Sequence, residues 1–205
     1  MKTPDFYHPE FEGKMIPPDQ KEHFNRYVEE FSLDIEKLKD KVVLDVGSGS
    51  NPLFVSELLE EGVTQKAYAI DQEDFFAEFD HYLPEGREKY PREKVHKSPV
   101  KKHYIKAKVE ALPIKPDSVD LVLMRAVIRP ETDLTKVFEQ IDIVLKPNGE
   151  FKIYPIFRDS EDRERLDEIL SKLDSDKFEY EWREVDSYEA GGKRHYRDLL
   201  IVRKK

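Results

Sequence analysis

The chain has 205 residues, 39% of them charged and 38% hydrophobic, a formal net charge of −9 and no cysteine. The missing cysteines exclude disulfides and thiolate-held metals, and no metal site is expected. No apolar run approaches the ~18 residues of a membrane span, and no signal or transit pattern opens the chain. A cytoplasmic protein of one domain, its core beneath a heavily charged surface, is therefore expected.

Met1–Pro18 mixes Phe6, Tyr7 and Phe11 with four prolines, which reads either as a tail packed on the surface or as a flap over a ligand pocket. Asp19–Phe31 places Phe24, Tyr27, Val28 and Phe31 at i, i+3, i+4, i+7, the spacing of an amphipathic helix. Residues 1–40 thus read as an aromatic tail and a helix packed on or capping a site carried by residues 41–205. The stretch Val42–Pro52, VVLDVGSGSNP, is the centre of that second part. Its apolar, β-branched start reads as a strand buried on both faces. Gly47 and Gly49 then let the backbone turn sharply and approach a ligand, and Asn51-Pro52 predicts a helix start with Asn51 as cap and Pro52 in the first turn. Strand, glycine turn and helix N-terminus together suit a nucleotide, although a plain strand-to-helix turn also needs glycines.

Gly62 marks the expected end of that helix. Ala67–Ile70 is a second strand ending at Asp71, and Glu73–Tyr82 reads as helical. Pro84–His103 is a long connection rich in proline and basic charge. Between Arg87 and Lys108 stand nine Lys/Arg against two Glu, so the remainder of the chain carries −16. Tyr104–Ala107 and Val119–Met124 are the third and fourth strands. Leu134–Leu145 is an amphipathic helix ending at the turn Lys146-Pro147-Asn148-Gly149, Glu150–Ile156 is a fifth strand, and Asp159–Leu173 is a helix with an acidic start. Phe178–Asp186 and Tyr196–Arg203, joined by a loop containing Gly191-Gly192, suit an antiparallel pair. The alternation gives an α/β fold: a mostly parallel sheet between two helical layers, with an antiparallel pair at the C-terminal end.

From Lys41 onward the order of motifs resembles that of the class I S-adenosylmethionine-dependent methyltransferases. Asp45, Gly47 and Gly49 match the family's first motif, and Asp71 the acidic end of its second strand. Val109–Ile114 resembles the stretch after strand three, Val119–Met124 the fourth strand, and Leu145–Glu150 the turn into the fifth. The resemblance implies a three-layer Rossmann-like fold with a seven-stranded sheet, S-adenosyl-L-methionine as cofactor, and residues 41–205 as the domain that binds it. The cofactor-binding residues it implies are Asp45, Gly47, Ser48, Gly49, Asn51, Asp71, Gln72, Val109, Glu110, Met124 and Arg125. Asp71 would accept the ribose hydroxyls and Asp45 would hold the amino group of the methionine moiety.

Three positions depart from the family's pattern. Asn51 stands where a third glycine is usual, Lys108 stands where relatives often carry an adenine-binding Asp, and Arg125-Ala126-Val127-Ile128-Arg129-Pro130 matches no nucleophile or base signature. The catalytic residues stay unassigned. His23, Tyr154 and His195 are candidate bases, each more simply read as a core or surface residue.

The leading expectation is a methyltransferase whose acceptor is a small molecule or, through the basic segment Arg87 to Lys108 with its interleaved aromatics, RNA. The overall acidity favours the small molecule, and no membrane partner is expected. The alternative is a catalytically inactive methyltransferase-fold binding or partner module, motivated by Asn51 and Lys108. A nicotinamide-dependent enzyme is disfavoured because the third glycine of its fingerprint would fall at Pro52.

Overall fold

In a computed structural model, residues 20–49, 52–72 and 99–205 are described. The tail Met1–Pro18, Asn51, the helix expected over Glu73–Tyr82 and most of the basic segment lie outside them. Seven strands form one sheet: β1 (Val43–Val46), β2 (Ala67–Asp71), β3 (Tyr104–Lys106), β4 (Val119–Arg125), β5 (Leu145–Phe157), β6 (Phe178–Ala190) and β7 (Lys193–Lys204). Their order is β3-β2-β1-β4-β5-β7-β6. The first five run parallel, and β7 enters antiparallel between β5 and β6. The described helices are α1 (Gln20–Glu30), α2 (Leu53–Glu60), α3 (Leu134–Val144) and α4 (Glu161–Leu170). The three-layer Rossmann-like arrangement expected from the sequence is the one observed.

Alternation along the strands divides the core. Leu44, Val46, Val122, Met124, Phe151, Ile153, Leu200 and Val202 face α3 and α4. Val43, Leu121, Leu123, Tyr154, Leu199 and Ile201 face α1 and α2, where Tyr27, Phe31, Phe54, Val55 and Leu58 pack against them. Asp45 follows the parity of Val43 and so lies on the α1 side, a buried carboxylate in an apolar row.

Several boundaries move. Helix α2 begins at Leu53 with Pro52 in the cap position, one residue later than expected. It closes as expected at Gly62, φ +68°, with the amides of Gly62 and Val63 donating back to the carbonyls of Leu59 and Leu58, a left-handed glycine termination. β5 starts at Leu145 rather than Glu150. Its pairing with β4 jumps from Val119–Leu145 to Leu121–Glu150, so the predicted turn at Lys146–Gly149 survives as a looped-out bulge with Asn148 at φ +65°. A side chain at Gly149 would meet the Lys146 carbonyl at 2.9 Å. The C-terminal pair is longer than expected because β6 and β7 meet in a two-residue turn, Gly191 and Gly192 both at positive φ, as a tight hairpin requires.

Candidate active site

β1 has β2 on one side and β4 on the other, and sheet order reverses across this centre. In open α/β sheets the crevice for ligands lies there, outside the carboxyl ends of the strands. The glycine turn leaves β1 at that point. Gly47 and Gly49 have φ of +72° and +69°, a conformation that a side chain resists. The amides of Gly47 and Ser48 donate to the Ile70 carbonyl at 2.7 and 3.2 Å, and the Gly49 amide donates to the Asp71 carboxylate at 3.0 Å. The turn and the end of β2 are thus one hydrogen-bonded unit. At the end of β4, Ala126 takes φ +54°. The chain then brings Val127 so close to Gly47 that a Cβ there would lie 2.2 Å from a valine methyl.

Asp45 is almost completely buried, and burial pushes its carboxyl up to about 7, with the hydroxyl of Tyr27 and the Arg125 guanidinium opposing that rise. The Tyr27 hydroxyl donates to both Asp45 oxygens, at 3.3 and 3.4 Å. Arg125 lies 5.4 Å over the Tyr27 ring and donates from Nε and a terminal nitrogen to Glu30 at 2.6 and 3.0 Å. His23, one turn before Tyr27, sits 4.9 Å from its ring, and its buried Nδ1 has no hydrogen-bond partner among the described residues. Burial, with the Arg125 and Arg26 charges, lowers its pKa to about 4, so its imidazole is neutral at pH 7.

Of the residues singled out from sequence, Asp45, Gly47, Ser48, Gly49 and Asp71 come together around the turn. Gln72 follows, exposed, and Val109 is buried beside half-buried Glu110 after β3. Met124 is wholly buried in the core facing α3, so its side chain is committed to packing, whereas Arg125 reaches α1. Asn51 lies outside the described residues. Lys108 is exposed. Among the candidate bases His23 stands against Tyr27 in this cluster. Tyr154 is buried, its hydroxyl donating to Asp186 at 3.3 Å, and His195 stacks on Tyr188 in the β6–β7 hairpin.

Tyr27 and Glu30 were missed as site residues. Tyr27 falls on the apolar stripe of α1 and reads as core, while Glu30 reads as surface. The signal present was the polar stripe His23, Tyr27, Glu30 at i, i+4, i+7 along the same helix.

A family model described as a methyltransferase domain matches residues 44–153, more than half of the chain. The chain belongs to the class I S-adenosylmethionine-dependent methyltransferases. The family's methyl donor is S-adenosylmethionine. Among solved structures, this methyltransferase is similar to a protein of Methanococcus maripaludis assigned as an S-adenosyl-L-methionine-dependent methyltransferase, at 16% identity and TM-score 0.54 over 87% of this chain and 82% of that one. It is similar to phosphoethanolamine N-methyltransferase 2 of Haemonchus contortus, solved with phosphomonomethylethanolamine and S-adenosylhomocysteine, at 16% identity and TM-score 0.60. There 89% of this chain covers 52% of that one, so the methyltransferase spans about half of the worm enzyme. An rRNA methylase of Streptococcus thermophilus matches at 16% identity and TM-score 0.51, over 83% of this chain and 92% of that one. At these identities the likeness is one of fold. Among the described residues of this methyltransferase, no helix is long and apolar enough to cross a membrane.

The cluster suits the family's donor. Asp45 is a buried carboxylate that is costly to charge until a cation is brought to it. Ser48 adds a buried hydroxyl oxygen without a hydrogen-bond partner among the described residues. A ligand with an ammonium and a polar amino-acid end supplies both.

Proposed function

We propose that this chain transfers the methyl group of S-adenosylmethionine to a small-molecule acceptor. The observation that carries the reading is the pair of carboxylates, Asp45 and Asp71, flanking a left-handed glycine turn where sheet order reverses. Asp71, at the carboxyl end of β2, accepts the ribose hydroxyls. Asp45 and Ser48 take the amino-acid end, and Gly47 and Gly49 admit the backbone to van der Waals distance. Gln72, Val109 and Glu110 lie on the adenine side, Val109 through main-chain groups and apolar contact. Met124 and Arg125 close the opposite side, Met124 through its main chain. Lys108, in place of a common adenine-binding Asp, leaves recognition of the base to these neighbours.

The bound donor supplies a methyl already activated on a sulfonium, so the protein's task is alignment, which in well-oriented pairs is worth on the order of 7–11 kcal/mol. Isothermal titration with S-adenosylmethionine and S-adenosylhomocysteine tests the reading. Micromolar binding of both is expected, with a loss of tenfold or more in Asp71→Asn, since hydrogen bonds to a charged group are worth about 1.5–3 kcal/mol each. Silence with both ligands would leave the inactive binding module as the better account.

A second reading takes RNA as the acceptor. It is supported by exposed Lys101, Lys102, Lys106 and Lys108 along the β3 edge and by the fold-level likeness to an rRNA methylase. The net charge of −9 keeps it second, because the rest of the surface repels a long polyanion.

A further inference from the structure

Helix α1 lies outside the stretch matched by the family model, yet it supplies a hydroxyl that donates to the site's buried carboxylate. We propose that Tyr27 is a positioning residue for Asp45: its hydroxyl fixes the carboxylate for the ligand's ammonium group, and Glu30, clamped to Arg125, holds the helix that delivers it. The inference rests on Asp45 serving the amino-acid end of S-adenosylmethionine.

The geometry that supports it is spread over four elements, α1, β1, α2 and β4. The Tyr27 hydroxyl is 3.3 and 3.4 Å from the two Asp45 oxygens, so one donor spans both and opposes rotation of the carboxylate. The ring is held from several directions: Phe54 stacks at 4.7 Å, Phe31 lies at 5.4 Å and His23 at 4.9 Å. The Arg125 guanidinium stands over it. Among the described residues, the acceptor this packing offers the phenol is Asp45. One turn further on, the two-pronged Glu30–Arg125 bond ties the end of α1 to the end of β4, the kind of fork that fixes orientation as well as distance.

The groups facing Asp45 are Tyr27 from α1, Arg125 from β4 and Asp71 from β2. His23 and Glu30 stand behind Tyr27 and Arg125. Of these, Tyr27 and Arg125 favour the ionised form, while Asp71 disfavours it. His23 stays neutral through the working range. Removing the phenol hydroxyl therefore leaves Asp45 harder to ionise and the ligand's ammonium without its counter-charge until higher pH.

The test is the pH dependence of S-adenosylhomocysteine binding between pH 5.5 and 8.5, by titration calorimetry, for the wild-type chain and Tyr27→Phe. Phenylalanine keeps the ring contacts, so a purely structural role would lower affinity equally at every pH. The wild type should tighten as pH rises through about 7. In Y27F the midpoint should move up by about one unit, the low end for a hydrogen bond to a charged group. That means about five-fold weaker binding at pH 7 and near parity at pH 8.5. An unchanged midpoint overturns the proposal, whereas a wild type that binds no ligand overturns the donor reading on which it rests. Should Y27F fail to fold, the wild-type chain made with 3,5-difluorotyrosine gives the second measurement. The more acidic phenol is a stronger donor and should move the midpoint down; no movement overturns the proposal.

Discussion

Asp45 sets the balance between stability and binding at the level of single residues. A carboxyl held near 7 in the folded chain, against an ordinary 3.8, stabilises the fold only while protonated. Its contribution is full below the unfolded value of about 4 and is lost as pH rises through 7. Asp45→Asn should therefore raise the melting temperature of the ligand-free protein at pH 8, by on the order of 1–2 kcal/mol of stability. The gain is less than the whole charge penalty, because the amide leaves one buried N–H unpaired. The difference from wild type should close towards pH 4, as thermal melts across that range will show, and the same substitution should abolish affinity for S-adenosylhomocysteine. A variant that gains stability and keeps the ligand would contradict the role given to this carboxylate. Gly47 is constrained differently, by its positive φ and by a valine methyl 2.2 Å from any added Cβ. Gly47→Ala should cost roughly 2 kcal/mol or more in chemical denaturation and push the β1 and β4 loops apart. The same change at Gly49, where no described atom lies within 4 Å of an added Cβ, should cost the backbone strain, about 1 kcal/mol.

At the level of elements, the antiparallel pair at the C-terminus is fastened by one buried acid. Asp198 on β7 accepts two hydrogen bonds from Arg158, at the end of β5, and one from Arg163, in the first turn of α4. Arg163 in turn lies 3.7 Å over the ring of Trp182 on β6. Four elements thus meet at a single carboxylate that is almost fully enclosed. Asp198→Ala removes the acid that the two guanidinium groups share, leaving Arg158 to Glu184 and Arg163 to Asp167, and should destabilise by about 1–3 kcal/mol, the range for lost hydrogen bonds to a charged group. Trp182 is the only tryptophan in the chain, so its fluorescence will report the loosening of this corner directly. The Gly191-Gly192 turn was legible in the sequence, whereas the full length of β6 and β7 up to it was hidden for a definable reason. Residues 187–195 carry no apolar alternation because they reach past the edge of the core, where cross-strand partners such as Tyr188 and His195 replace burial as the source of pairing.

At the level of the whole molecule, charge distribution is what weighs a small-molecule acceptor against RNA. The chain is acidic overall, while exposed lysines collect beside β3. Fluorescence anisotropy with a short single-stranded RNA should therefore show weak binding at 50 mM salt that is lost by 200 mM, since phosphate contacts release counterions and weaken steeply with added salt. Affinity surviving at 200 mM would move RNA ahead of a small molecule.

The sequence by itself determined the order of the described strands and helices, the glycine turn, and the acids within β1 and at the end of β2. All of these are local signals: period-2 and period-3.6 patterning, glycines at forced φ, and acids set in or closing apolar runs. Tertiary structure alone decided that helix α1 brings Tyr27 to Asp45 and Glu30 to Arg125, across 18 and 95 residues of chain. A tyrosine on an apolar stripe looks like core in one dimension. Its hydroxyl finds a purpose only when folding sets a buried carboxylate opposite it, and contacts between elements so far apart in sequence leave no periodic trace.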